Sequence, residues 1–255
     1  SLSLTYYGDM DISILDEKPR SRKPIKTAVM SESKVEKILD RLEESLDMKR
    51  GVYWVCPIIE DSEKLRLTSA EWRQKKLKER FPQKNIGLVH GQMSLAEKDI
   101  VMQEFSEGKI NLLVSTTVIE VGVDVPKASI MIVEGAERFG LAQLHQLRGR
   151  VGRGAEQSSC ILIYSGKLGK NSKARLEILR HTEDGFKISE EDLKIRGAGD
   201  VLGLQQSGLP EFQVADLENQ NYLLEIARAD SKMLLDKDPR LKSVRGLAVR
   251  ELLYL

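Results

Sequence analysis

Along the chain, short apolar runs alternate with stretches whose apolar residues recur at helical spacing. From Lys34 to Met48 they fall at Val35, Ile38, Leu39, Leu42 and Leu46, one face of an amphipathic helix with Ser31 or Ser33 as candidate N-cap. VYWVCPII follows as the first strong strand. Then come a basic helix over Ala70 to Phe81, the short strand IGLVH, a helix from Ser94 to Gly108 and the strand INLLVS. SIMIVEG, FGLAQLHQL and SSCILIYS continue the alternation as strand, helix and strand. Continuous apolar strands alternating with helices predict an α/β fold, a parallel sheet covered on both faces.

Beyond Tyr164 the strand signal stops. KARLEILRH and EEDLKI predict two short helices around DGF, followed by the Gly-rich RGAGDVLGLQQSG, and from Val214 the spacing is helical again. A boundary is expected near residue 165, between an α/β domain over 28–165 and a small α-helical carboxy-terminal appendage over 166–255. Residues 1–27, with the prolines and basic residues of EKPRSRKPIK, suit an extended linker.

Composition changes this picture little. Hydrophobic residues at 41% and charged residues at 31% exclude disordered and collagen-like classes and fit a globular protein. There is no apolar run long enough to span a bilayer and no basic-flanked leader, so no membrane partner and a cytoplasmic location are expected. Forty Lys+Arg against thirty-nine Asp+Glu announce no nucleic-acid partner, and only local clustering can. Cys56 and Cys160 sit in apolar runs that read as buried strands. His90, His145 and His181 are far apart and have no partner at ligand spacing, so no metal site is expected. The chain opens on Ser1, as a cut-out piece or processed product would.

Chemistry concentrates in three segments. QLRGRVGRG (Gln146 to Gly154) interleaves glycines, which let backbone approach closely, with arginines whose planar fork engages phosphate; Arg150 and Arg153 would project toward one anion if the segment is helical. STTVIEVGVDVP places hydroxyls at a strand's end and a carboxylate, Asp124, after Gly122. LVHGQMS puts His90 and Gly91 at another strand's end. In open α/β sheets ligands collect at the carboxyl edge, so the three are expected to converge on one face. Taken singly, the first is as readily a solvated basic turn, and the second reads first as a strand-to-helix turn capped by Ser and Thr.

In this order and spacing the segments resemble motifs IVa, V and VI of the second helicase superfamily, whose carboxy-terminal motor lobe has a RecA-like fold. RGAGDVLGLQQSG with the helical pair before it resembles the TRG element shared by RecG and Mfd translocases. The linker, the AERFGLAQLHQLRGRVGRG context and the short helical tail favour the RecG family, ATP-dependent helicases of branched DNA. The resemblance implies that Arg150 and Arg153 reach the γ-phosphate of ATP as arginine fingers. It implies that Gln146, Gly122 and Asp124 contact the nucleotide, and that His90, Gly91, Ser115 and Thr116 contact the DNA backbone. Arg175, Arg196, Asp200 and Gln206 would couple lobe closure to movement along duplex DNA. ATP and Mg²⁺ would be held mainly by a first motor lobe of the same parent chain. Its amino-terminal wedge domain and branched double-stranded DNA are the other expected partners, and a monomer is expected.

No G-x-x-x-x-G-K-[ST] occurs, so one half of a motor, inactive alone, is expected. Asp16 and Glu17 of ILDEKP imitate a Walker B pair but lie beside Pro19 and read as linker. The basic run Lys64, Arg66, Arg73, Lys75, Lys76, Lys78 and Arg80 reads first as a solvated helix face and second as a DNA contact. Trp54 is expected in the core and Trp72 beneath the basic helix. An Mfd-like transcription-repair translocase and a non-catalytic nucleic-acid-binding domain remain as rivals; the paired arginines argue against the second. A dehydrogenase-type enzyme would need G-x-G-x-x-G after the first strand, which is absent.

Overall fold

The structure, a computed structural model, describes residues 23–57, 63–116, 125–154, 156–196 and 222–253. Six strands form one sheet: β1 (Lys26–Ser31), β2 (Gly51–Val55), β3 (Ile86–Val89), β4 (Leu112–Ser115), β5 (Ala128–Val133) and β6 (Ser159–Tyr164). Their order is β1-β6-β5-β2-β4-β3, and every pairing is parallel. All residues of β2, β4 and β5 are buried, which is why these strands read as unbroken apolar runs.

Helices α1 (Val35–Asp47), α2 (Glu63–Arg80), α3 (Leu95–Glu107), α4 (Leu141–Arg148), α5 (Lys170–His181) and α6 (Gly185–Arg196) cover this sheet. Strand alternation divides the core in two. Val52, Trp54, Leu112, Val114 and Ile132 join Ile38, Leu42 and Leu46 of α1 and Leu77 of α2. Tyr53, Val55, Leu113, Met131 and Val133 join Phe105 of α3, Leu144 of α4 and Leu176 and Leu179 of α5. Tyr53 and Phe105 meet edge to face with centroids 4.8 Å apart.

Four local expectations change. KTAVMS, expected at the end of a linker and the start of a cap, is the edge strand β1; it is only partly buried, so it carries no continuous apolar run, yet it pairs with β6 through six residues. Ser31 accepts from the Ser33 N–H but caps a 3-10 turn, Glu32–Lys34, that precedes α1. The basic helix begins at Glu63 rather than near Ala70. Trp72 is 53% exposed rather than packed beneath the helix, with the Arg73 guanidinium 4.9 Å from its ring.

The boundary also moves. The compact unit holding the sheet runs from Lys18 to Ile195, past residue 165, because Leu176, Leu179 and Ile188 of the helical pair are buried in the sheet's own core. The other unit comprises residues 1–17 and 196–255. Within it, α7 (Tyr222–Lys237) and α8 (Val244–Leu253) are joined by a turn in which Asp238 accepts the N–H groups of Lys242 and Ser243. The Ser243 side chain first, and then the Lys242 and Ser243 N–H groups, hold the Asp238 carboxyl below its ordinary range. Asp16 and Glu17 lie outside the described residues.

Phe105→Ala is expected to cost about 3–5 kcal/mol through lost burial and a cavity, against about 0.5 kcal/mol or less for the exposed Ile100→Ala, measured by urea unfolding. The two thiols give a pH test. Burial pushes both up, Cys160 to about 12 although Arg148 opposes the rise. Above about pH 8.5 an unfolded thiol ionises while the folded one keeps its proton, so their contribution to stability is intact below that pH and is lost as pH rises. The alkaline fall in urea midpoint should therefore be shallower in Cys160→Ala.

Candidate functional site

The segment Gln146–Gly154 is shaped by what precedes it. Leu141, Leu144 and Leu147 bury one side of α4, and the helix ends at Arg148 in a turn where the N–H groups of Arg150 and Val151 reach the carbonyls of Leu147 and Arg148 at 3.0 and 3.3 Å. Buried Val151 plugs the turn into the core. Gly152 has φ of 81°, and a Cβ there would come within 3.0 Å of Ile25. A Cβ on Gly154 would stand 2.5 Å from the Pro126 carbonyl oxygen, so only glycine allows this approach. Arg150 and Arg153 are therefore not on one helical face as expected. They nonetheless line the same cavity of about 510 Å³, together with Lys23, Gln146, His145 and Glu183. Arg150 is half-buried and Arg153 exposed.

One arginine of the segment was not singled out by sequence reasoning. Arg148 is 3% exposed, and its Nη1 donates to the carbonyls of Leu179 at 2.8 Å and Thr182 at 2.9 Å. Both lie at the carboxyl end of α5, where helical carbonyls lack partners and the dipole is negative, so a buried cation is well placed there. The same turn is held from the sheet side, because the Glu183 carboxylate accepts the Ile25 N–H. Arg175 braces the other end of α5, donating to the Phe139 carbonyl at 2.9 Å, the Glu137 carbonyl at 3.4 Å and the Ser172 hydroxyl at 3.1 Å. No local signal marks Arg148, since its partners are backbone carbonyls more than thirty residues away in sequence.

The second group of candidates stands elsewhere. Thr116 N–H reaches the Val89 carbonyl at 3.2 Å, which sets Ser115–Thr116 beside His90–Gly91 at the carboxyl edge of β3 and β4. His90 is half-buried, and its Nδ1 has no hydrogen-bond partner among the described residues. Gly91 is exposed and its carbonyl accepts from Lys98 Nζ at 3.2 Å. The Ser115 side chain is fully buried and Thr116 is 6% exposed, so the open positions on this edge are His90 and Gly91.

The expected convergence of three segments on one edge is thus corrected. Gln146–Gly154 precedes β6, and in a parallel sheet the chain entering a strand lies at the opposite edge from the chain leaving one. Gly122 and Asp124 lie outside the described residues; Pro126, two positions on from Asp124, abuts Gly154 at the amino edge. Asp200 and Gln206 also lie outside them, and Arg196 closes α6 with its side chain undescribed.

Three cations of the basic run of α2 are committed to internal contacts, while Lys75 and Lys78 are exposed. Arg73 pairs with Glu134 at 2.5 Å and sits 5.3 Å from the Trp54 ring, while burial pushes the Glu134 carboxyl up against the opposing pull of Arg73. Arg80 pairs with Asp40 and Glu43, each at 3.2 Å, and Lys76 with Glu79 at 2.9 Å. The side chains of Lys64 and Arg66 lie outside the described set.

A RecA-like parallel sheet with an arginine-glycine turn on the helix end before its last strand fits the second lobe of a helicase motor, and residues 33–155 match the helicase conserved C-terminal domain. Residues 182–250 match the ATP-dependent DNA helicase RecG, domain 3, C-terminal. The RecG helicase of Pasteurella multocida is 49% identical over 240 residues, 94% of this chain and 35% of that protein. That of Bacillus subtilis is 46% identical over 252 residues, 98% of this chain and 37% of that protein. A solved structure of RecG bound to a three-way DNA junction matches with a TM-score of 0.68 and 42% identity, over 88% of this chain and 29% of that one. Over nearly its whole length the chain is thus similar to one segment of the RecG ATP-dependent DNA helicases. It spans about a third of the length of the curated relatives it matches.

Arg148→Met should cost about 2–4 kcal/mol, since it strips a charged donor from two buried carbonyls. Arg148→Lys should fall between the two, because an ammonium lacks the planar fork. Urea unfolding of the intact protein reads both.

Proposed function

We propose that this chain forms the carboxy-terminal motor lobe and coupling element of an ATP-dependent double-stranded DNA translocase that remodels branched DNA, regressing replication forks and migrating Holliday junctions in recombination and repair. The observation that carries this reading is the opening of Arg150 and Arg153 onto one cavity whose far wall is the turn between α5 and α6. The solved relative on a three-way junction supports the branched substrate. The match of residues 182–250 to a RecG domain favours this reading over a transcription-repair translocase.

The cavity suits the phosphate end of ATP and not its metal. Lys23, Arg150 and Arg153 outnumber the one carboxylate of its lining, Glu183, which accepts the Ile25 N–H, so the surplus positive charge disfavours a cation and Mg²⁺ is assigned to the first lobe. Closure of the two lobes brings Arg150 and Arg153 against the γ-phosphate, where fixed guanidinium charge stabilises the transition state. Gln146, exposed on the last turn of α4, together with Gly122 and Asp124, orients the nucleotide. Arg148 makes the arginine turn and the α5–α6 turn move as one body, and Arg175, Arg196, Asp200 and Gln206 carry that movement to duplex DNA. His90 and Gly91 present an imidazole and a small backbone to the DNA phosphates, with Thr116 and Ser115 behind them.

Steady-state ATP hydrolysis by the intact protein, at one fixed salt concentration, tests this without DNA and with linear, forked and four-way duplex. Strong stimulation by branched DNA is expected; no hydrolysis on any DNA would reduce the role to binding. Arg153→Ala should lower turnover by roughly 10³-fold or more with DNA affinity largely kept, and retained turnover would remove the finger assignment. Gln206→Ala should keep hydrolysis and lose unwinding, whereas parallel loss of both would argue against coupling.

A further inference from the structure

On the face of the sheet covered by α1 and α2, the edge pair β1 and β6 is left partly open. Ala28 is exposed, and Met30 and Ile161 are only half-buried. Between them and α1 runs a groove of about 460 Å³, floored by Met30, Ile130, Ile161, Ile38 and Leu42. Lys26, Lys34, Lys37 and Arg41 stand around it, all four exposed, and no carboxylate lines it.

The charge on α1 is sorted by face. Lys34, Lys37 and Arg41 follow one another at helical spacing along the groove. The carboxylates of Asp40, Glu43 and Asp47 are turned instead to Arg80 and Lys84, at 3.2, 3.2 and 2.7 Å. Three of the helix's five acids are thus engaged away from the groove, Glu36 and Glu44 are exposed outside its lining, and none of the four groove cations has an ion-pair partner among the described residues. A nucleic-acid backbone would use the cations and leave the apolar floor uncovered. A peptide that brackets large apolar side chains with carboxylates would use both.

We propose that the β1–α1 groove is a docking site for an acidic segment of another protein, anchored by apolar side chains on Met30 and Ile161 and flanked by carboxylates on Lys34, Lys37 and Arg41. The site stands on the geometry of this face alone and is separate from the arginine cavity: no residue lines both.

The probe is a short fluorescein-labelled peptide of aspartates and glutamates around a Leu-Phe pair, titrated into the intact protein and followed by anisotropy. A counterpart with lysines in place of the acids should not bind. The double variant Lys37→Glu/Arg41→Glu should weaken the acidic peptide about tenfold or more, and Ala28→Glu, which places a carboxylate in the groove, should do the same. All these positions are exposed, so thermal unfolding and DNA-independent ATP hydrolysis should match the parent. Equal affinity in the variants would overturn the proposal. So would displacement of the peptide by linear duplex DNA, with DNA binding falling in parallel in the double variant, which would assign the surface to phosphate.

Discussion

The direction of the strands governs this lobe. With all six parallel, every connection must carry the chain from the carboxyl edge of the sheet back to the amino edge. The chain leaving β4 at Thr116 must reach Val125 at the other edge, and Pro126 there meets Gly154 on the arginine turn. The two edges, about 13–20 Å apart for strands of four to six residues, hold different groups. Cations line the amino edge at Lys23, Arg150 and Arg153; an imidazole, a glycine and hydroxyls mark the carboxyl edge. Under the proposed function this separation is an asset, since it lets nucleotide and DNA use different edges of one sheet without competing for the same surface.

Rigidity at the amino edge rests on a charge withdrawn from water. A buried guanidinium is costly unless its donors are used, and Arg148 offsets the cost with two carbonyls at the negative end of α5. The charge is felt nearby, where it partly opposes the burial that raises the Cys160 thiol. Glu183 adds a second tie from the same turn to the residue before β1. The arginines facing the cavity are thereby mounted on a turn tied through Arg148 to the α5–α6 turn.

Reading the sequence recovers what is local and loses what is not. β2, β4 and β5 are legible because total burial makes them continuous apolar runs, and α1 because its apolar residues keep helical spacing. β1 is hidden because an edge strand keeps Lys26 and Ala28 in solvent. The helices α5 and α6 are legible as helices, but their membership of the sheet's unit depends on Leu176, Leu179 and Ile188 entering a core built by other elements. At the site, spacing picks out Arg150 and Arg153. It says nothing of the edge on which they fall, of the burial of Ser115, or of Arg148, whose role exists only through carbonyls of a distant helix.

A net charge of +1 conveys none of this, because the charge is organised in stripes and not in totals. α2 has a strongly basic sequence, yet Arg73, Lys76 and Arg80 are ion-paired and Arg73 also lies over Trp54 and Trp72. α1, with five acids against two bases, sends Asp40, Glu43 and Asp47 toward Arg80 and Lys84 and turns Lys37 and Arg41, with Lys34 just before them, to the open side of the sheet. Basicity read along one helix therefore misplaces part of the field: ion pairs take Arg73, Lys76 and Arg80 out of it on α2, while Lys37 and Arg41 stay open on α1 beside the apolar floor of the groove.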